Sequence, residues 1–218
     1  MPWQFDDIPQ GDIVTLPGVE KRGLAALTGY SIPTPYCGLY FQSFLNYEDG
    51  AEVIDAEGII PGIIPHSGTD FAGTSTNLET TTGESMITVN YAESTTVNFE
   101  FVSTYYGCMI SVDGSIGDPV DCTITFTGYQ SPEASDNTID AATEVCAETV
   151  EYGPTGTDNQ MMAYHGATAC KGLPLNFLKV TFSDIGTAAD SETMTIAFID
   201  DFTVNVRDCS QGEERTPN

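Results

Sequence analysis

Residues 97–129 read VNFEFVSTYYGCMISVDGSIGDPVDCTITFTGY, and this stretch decides the fold. Two runs of strand-forming residues flank a loop rich in Gly, Asp and Pro, with Cys108 and Cys122 near the inner ends of the runs. Side chains alternate faces along a strand, so Val97, Phe99 and Phe101 share one side of the first run. In the second run Cys122, Ile124 and Phe126 oppose Thr123, Thr125 and Thr127, one face apolar and the other polar. The pattern predicts a long β-hairpin or β-corner cross-linked by Cys108 and Cys122. Closing a loop of that size contributes about 3 kcal/mol in the chain-entropy model.

Working outward, the same signature recurs. ESMITVNY (84–91), EVCAETVEY (144–152), LNFLKVTF (175–182) and MTIAFIDDFTVNV (194–206) all read as strands. The N-terminal FDDIPQGDIVTLP (5–17) opens with a short strand-like piece, and IPTPYCGLYF (32–41) runs through prolines that hold it extended before an aromatic strand. Residues 51–83, rich in Gly, Thr and Ser, read as a long surface excursion with short strands. No segment keeps a helical period for three turns. The sum predicts an all-β, single-domain β-sandwich, jelly-roll-like and stabilised by disulfides.

The chain has 218 residues and 40% hydrophobic residues, enough for one core, and no stretch reads as a linker. Its formal net charge is −26, from 32 Asp and Glu against 6 Lys and Arg. Nucleic acid and anionic membranes are poor partners for such a surface, whereas divalent cations and neutral or cationic ligands fit it. No segment has the apolar length of a membrane span or of a leader peptide, so the sequence reads as a mature exported form. Six cysteines without metal-type spacing predict three disulfides and an extracellular location. Of the pairings open to six cysteines we favour Cys108–Cys122, Cys146–Cys170 and Cys37–Cys209. Composition does not specify an oligomeric state.

Chemistry is harder to place. The two histidines, His66 in IPHSG and His165 in AYHGA, lack metal-type or triad spacing and read as loop hydrogen-bonding residues. Glycoside hydrolysis needs two carboxylates at a defined separation, and 32 acids offer too many choices. Glu100 stands out, because it has the opposite parity to Phe99 and Phe101 and would face a concave sheet surface or plain solvent. Tyr105 and Tyr106 are neighbours, so they point to opposite faces and one at most can meet a ligand. Tyr36 joins them as a candidate ligand-binding residue, followed by Tyr40, Tyr129, Tyr164 and Trp3.

Asp200 interrupts the apolar face of the last strand. A buried carboxylate there requires a cation, a set of backbone N–H donors or a local bulge, and calcium is the natural cation for oxygen ligands. The short Phe5-Asp6-Asp7 opening and the Ile199-Asp200-Asp201-Phe202 ending resemble β-sandwich modules of the galactose-binding-like and carbohydrate-binding type. The resemblance implies that the terminal strands lie together and that a structural calcium can sit near them, held by Asp6 or Asp7 and by Asp200 or Asp201. Taken in order, FDDIP, IPTPYCGLYF, YYGC…CTITFTGY and IDDFTV also resemble a group of secreted ascomycete fungal proteins of unassigned activity. That resemblance implies secretion and a β-sandwich but no chemistry; the leading expectation for function is non-catalytic binding at an extracellular glycan or cell-wall surface. The alternatives are an extracellular carbohydrate-active hydrolase or lyase using carboxylates in a sandwich cleft, and an effector or adhesion protein that binds a host protein.

Overall fold

The computed structural model describes residues 2–3, 13–14, 29–32, 35–36, 38–48, 52–55, 58–68, 70–112, 115–131, 139–155, 159–183 and 193–208. The first strands are β1 (Pro2–Trp3), β2 (Ile13–Val14), β3 (Gly29–Ser31), β4 (Tyr40–Gln42), β5 (Leu45–Glu48), β6 (Glu52–Asp55), β7 (Gly58–Pro61) and β8 (Ile63–Ile64). Next come β9 (Asp70–Ser75), the helix α1 (Thr76–Thr82) and the strands β10 (Met86–Thr88), β11 (Thr96–Val112), β12 (Ser115–Pro119) and β13 (Cys122–Gln130). The last are β14 (Thr143–Tyr152), β15 (Gln160–Met161), β16 (Ala163–Gly166), β17 (Phe177–Phe182) and β18 (Thr193–Asp208).

Two antiparallel sheets form the expected single-domain sandwich. The larger has nine strands in the order β12-β11-β18-β9-β5-β3-β2, with β1 also on β18 and β16 also on β11. The smaller has five, in the order β14-β13-β17-β10-β4. Aromatic rings fill the space between them. Phe101 and Phe202 of the large sheet stack at 5.5 Å, Phe126 of the small sheet meets Phe101 at 5.3 Å, and Phe41 meets Phe202 edge-on at 6.2 Å. Each ring is shut off from solvent, and offset or edge-on pairs of this kind stabilise by about 1 kcal/mol beyond their area.

The deciding stretch alternates as its sequence predicts along β13, where Cys122, Ile124, Phe126 and Gly128 are buried and the threonines between them are half-buried. In β11 Phe99 and Phe101 are buried, but Val97 at the strand's start is exposed. The two runs do not form one hairpin. β11 pairs with β12 in the large sheet, and the chain then crosses to β13 in the small one. Cys108–Cys122 therefore clips the sheets together at a corner. Cys146–Cys170 forms as expected, joining β14 to the loop before β17, while Cys37 and Cys209 lie outside the described residues. β1 pairs with β18, Pro2 opposite Thr203 and Trp3 opposite Phe202, while the Phe5-Asp6-Asp7 segment expected beside the last strand lies outside the described residues.

The segment expected to be a surface excursion divides in two. β6 and β7 make a separate hairpin, but β9 is an interior strand between β18 and β5, and all six of its residues are buried. The small side chains of DFAGTS serve packing here. A Cβ on Gly73 would come within 2.7 Å of the Tyr47 ring and 2.8 Å of the Phe198 ring, which meet edge-on at 5.6 Å. α1 follows directly, capped by the Ser75 hydroxyl accepting from the Leu78 N–H, and packs against β9 and β18. Its seven residues are too few to show a helical period in the sequence.

The Tyr47 hydroxyl is buried with no hydrogen-bond partner among the described residues, and burial pushes its pKa well above the ordinary tyrosine value. Removing an unsatisfied buried hydroxyl relieves a desolvation cost, so Tyr47→Phe should raise stability by about 1 kcal/mol in urea unfolding. A loss of 1 kcal/mol or more would show that the hydroxyl is bonded after all. Replacing Cys108 and Cys122 together by Ala should lower stability by about 3 kcal/mol.

Candidate functional site

The site is built on a fault in the longest ladder of the fold. β11 and β18 pair along almost their whole length, but around Thr104 and Asp201 the register slips twice. Phe101 opposes Val204 and Ser103 opposes Thr203, so β11 carries an extra residue there. Ser103 opposite Thr203 is followed by Tyr105 opposite Asp200, so β18 carries the next one. The slips cancel, and the ladder resumes its former register. Bulges re-aim side chains at a defined point, and this one turns Asp201 into the left-handed region at φ 45°. The Thr104 hydroxyl, itself buried, donates to the Asp200 carbonyl at 3.0 Å and bridges the opened strands.

Asp200 is fully buried and answers the question that its sequence position poses. Its Oδ2 accepts the Ser67 N–H at 3.0 Å, its Oδ1 accepts the Asp201 N–H at 2.6 Å, and the His66 N–H also donates to it. Backbone donors, together with the bulge, satisfy this carboxylate. Burial pushes its pKa from 3.8 up to about 6. The N–H donors oppose that shift and the neighbouring Asp201 charge adds to it. Asp201 is filled in the same way, its Oδ1 by the Ser67 hydroxyl at 2.8 Å and its Oδ2 by His66 Nδ1 at 2.6 Å.

This arrangement bears on the calcium expectation. All four carboxylate oxygens of Asp200 and Asp201 face N–H or O–H donors. Among the described residues no group of three or more His, Cys, Asp or Glu is arranged as a metal site. Asp6 and Asp7, the other two carboxylates of the calcium expectation, lie outside the described residues.

What the carboxylates hold is a loop, and what the loop carries is a ring. His66 lies on Tyr105 with centroids 3.4 Å apart and planes within 10° of parallel. Tyr105 meets Tyr164, its cross-strand partner on β16, at 5.2 Å. Tyr164 is 60% exposed and the His66 side chain 38%, while Tyr105 is half-buried. The hydroxyl of Tyr164 hangs over Gly166, where a Cβ would come within 3.2 Å of it. The result is an exposed aromatic surface of Tyr164, Tyr105 and His66 with the Asp200–Asp201 pair behind it.

Tyr106, Glu100 and Tyr36 have partners within the fold. Tyr106 points inward as parity requires, donating its hydroxyl to the Glu151 carbonyl at 3.0 Å and packing on Tyr152. Glu100 accepts the Gly172 N–H at 2.8 Å and the Asn205 amide at 3.1 Å, so it ties down a turn. Tyr36 packs on the core beside Phe41. Glu148, invisible as special in the sequence, is buried and collects the N–H groups of Thr168 and Cys170 and the Nε2 of His165 at 2.6 Å. It braces the loop of the Cys146–Cys170 disulfide. A cavity of about 640 Å³ opens near Tyr152 and Met161. Its amides are spent on structure: Asn159 Oδ1 accepts the Gly62 N–H and Gln160 Oε1 accepts the Thr155 N–H.

A carboxyl whose folded pKa lies above its unfolded value binds its proton more tightly in the native state. The site is therefore most favourable at low pH and loses stability as pH rises from about 4 to about 6, by about 3 kcal/mol in all. Asp200→Asn cannot titrate, so its deficit relative to the parent protein should be about 2 kcal/mol larger at pH 4, where the unfolded carboxyl is about half ionised, than at pH 7 in urea unfolding. A deficit independent of pH would contradict the assignment.

No family model matches the chain, and no curated protein does. Among solved structures it is similar to a DUF4465 family protein from Bacteroides caccae ATCC 43185, with 13% sequence identity and a TM-score of 0.42 over 91% of this chain and 94% of that one. A likeness of this strength bears on neither family nor activity.

Proposed function

We propose that this protein is a secreted, non-catalytic binding protein for glycan at a cell wall or other extracellular surface, and that Tyr164, Tyr105 and His66 form its ligand face. The observation that carries the reading is Tyr164, an aromatic ring left 60% exposed yet held in place by Tyr105 and Gly166. A rigid aromatic face beside polar groups suits the C–H face of a sugar ring, which stacks on it while its hydroxyls reach the rim. Preorganisation helps, since a ring already fixed loses little freedom on binding. Two disulfides fit an oxidising exterior.

One observation favours a second reading, an extracellular carbohydrate-active enzyme. His66 bonded to Asp201 at 2.6 Å is an oriented acid–base pair beside the same surface. Ser67 does not complete a nucleophilic triad, because its hydroxyl donates to Asp201 rather than to His66.

Purified protein is incubated with insoluble β-1,3-glucan, chitin, cellulose, xylan and mannan, following protein depletion and soluble sugar together. The binding reading expects saturable depletion without release, and Tyr164→Ala should weaken retention about tenfold. Release of sugar, lost in His66→Ala, would replace it with the enzyme reading. Neither depletion nor release would remove glycan from consideration and leave a protein partner.

A further inference from the structure

We infer that the ligand is a single glycan chain, free to turn about its glycosidic bonds, and that the flat surface of a crystalline polysaccharide is a poor ligand. The inference rests on the glycan reading above and adds the physical form of the ligand to it. It follows from the planes of the three rings. His66 lies within 10° of parallel to Tyr105, whereas Tyr164 meets Tyr105 at 57°. Tyr164 and His66 are therefore steeply inclined to each other. These are the open rings of the face, Tyr164 60% exposed and the His66 side chain 38%, with Tyr105 half-buried and in contact with both. One face of His66 is spent on Tyr105, so its opening lies on the other face and on the edge away from Asp201.

A sugar stacks by laying its C–H face parallel to an aromatic ring. At the face of a crystal the sugars share one plane, and no single plane lies parallel to two rings inclined in this way. Such a surface meets either Tyr164 or His66 and leaves the other without a partner. A free chain has no such restriction, because rotation about each glycosidic bond sets the plane of one sugar against the next. Successive sugars then stack on the two rings in turn. The inclination is also fixed, so the rings do not flatten to suit a plane. Asp201 grips the edge of His66 at 2.6 Å while Tyr105 covers its face. Tyr164 is bounded by Tyr105 at 5.2 Å and by Gly166, where a Cβ would come within 3.2 Å of its hydroxyl and 3.5 Å of its ring. Rings held in this way gain affinity only for a ligand whose shape matches them.

The test uses β-1,3-glucan, chitin, cellulose, xylan and mannan, each in a crystalline and a swollen amorphous preparation. Affinity is read from the free protein concentration at half-saturation, which does not depend on how much surface each preparation offers. For the polysaccharide that retains the protein, the amorphous form should bind about tenfold more tightly, the advantage of one further stacked ring. A soluble hexamer of the same sugar should displace the protein, and the monosaccharide at equal sugar concentration should not. Tyr164→Ala, at an exposed position, leaves one open ring, so its affinities for the two forms should become equal, with circular dichroism and the urea midpoint showing that the variant is folded. Equal affinity of the parent protein for both forms, or tighter binding to the crystalline one, would overturn the inference and leave the glycan reading standing. So would displacement by the monosaccharide as readily as by the hexamer, or an amorphous preference undiminished in Tyr164→Ala. Retention by none of the preparations would overturn both readings.

Discussion

The fold hangs on the pairing of β11 with β18. β12 and β16 attach to the one and β9 and β1 to the other, so most of the large sheet is reached through this ladder. At its middle stands a carboxylate with no access to water. An ionised group buried in that way is tolerated only when hydrogen-bond donors surround it, and the chain supplies them from its own backbone. Asp200 therefore constrains two things together: the strands must bulge so that the Asp201 N–H turns toward it, and the loop at 66–67 must fold down so that its N–H groups arrive.

That double constraint links sheet geometry to surface chemistry. Without the bulge Asp201 would follow the strand's regular alternation, and its reach to His66 and Ser67 would be lost. Without the loop the Tyr105 ring would stand uncovered beside Tyr164. Coupled in this way, the buried carboxylate, the strained residue after it, the imidazole and the two phenol rings form a single unit. Its parts come from β11, β16, β18 and the Pro65–Gly68 turn. Strain and buried charge persist where the surroundings over-determine them, and they mark the places where a structure serves something besides stability.

The local layers of this organisation are legible in the sequence. Alternation along CTITFTGY and the opposite facing of Tyr105 and Tyr106 follow from a period of two, and Cys108–Cys122 and Cys146–Cys170 are two of the pairings favoured among those that six cysteines allow. Asp200 announces itself by breaking an apolar face, and a bulge with backbone donors is among the solutions its position allows. The partners do not announce themselves. His66 and Asp201 are 135 residues apart, and nothing in IPHSG indicates which acid will meet it. β9 reads as a loop because Gly, Thr and Ser dominate it, yet small residues are what a strand needs beneath the Tyr47 and Phe198 rings. Glu148 looks like any acid of an edge strand until the 168–170 loop closes over it.

The central claim is that the face of Tyr164, Tyr105 and His66 is where this protein meets its ligand. The direct measurement is a titration of the labelled protein with soluble oligomers of β-1,3-glucan, chitin, cellulose, xylan and mannan, followed by NMR of the histidine and tyrosine ring resonances. The account predicts saturable shifts at His66, Tyr105 and Tyr164, with His165 and the interior Tyr47 unmoved. Shifts centred instead on Tyr152, which lines the cavity near Met161, would contradict it.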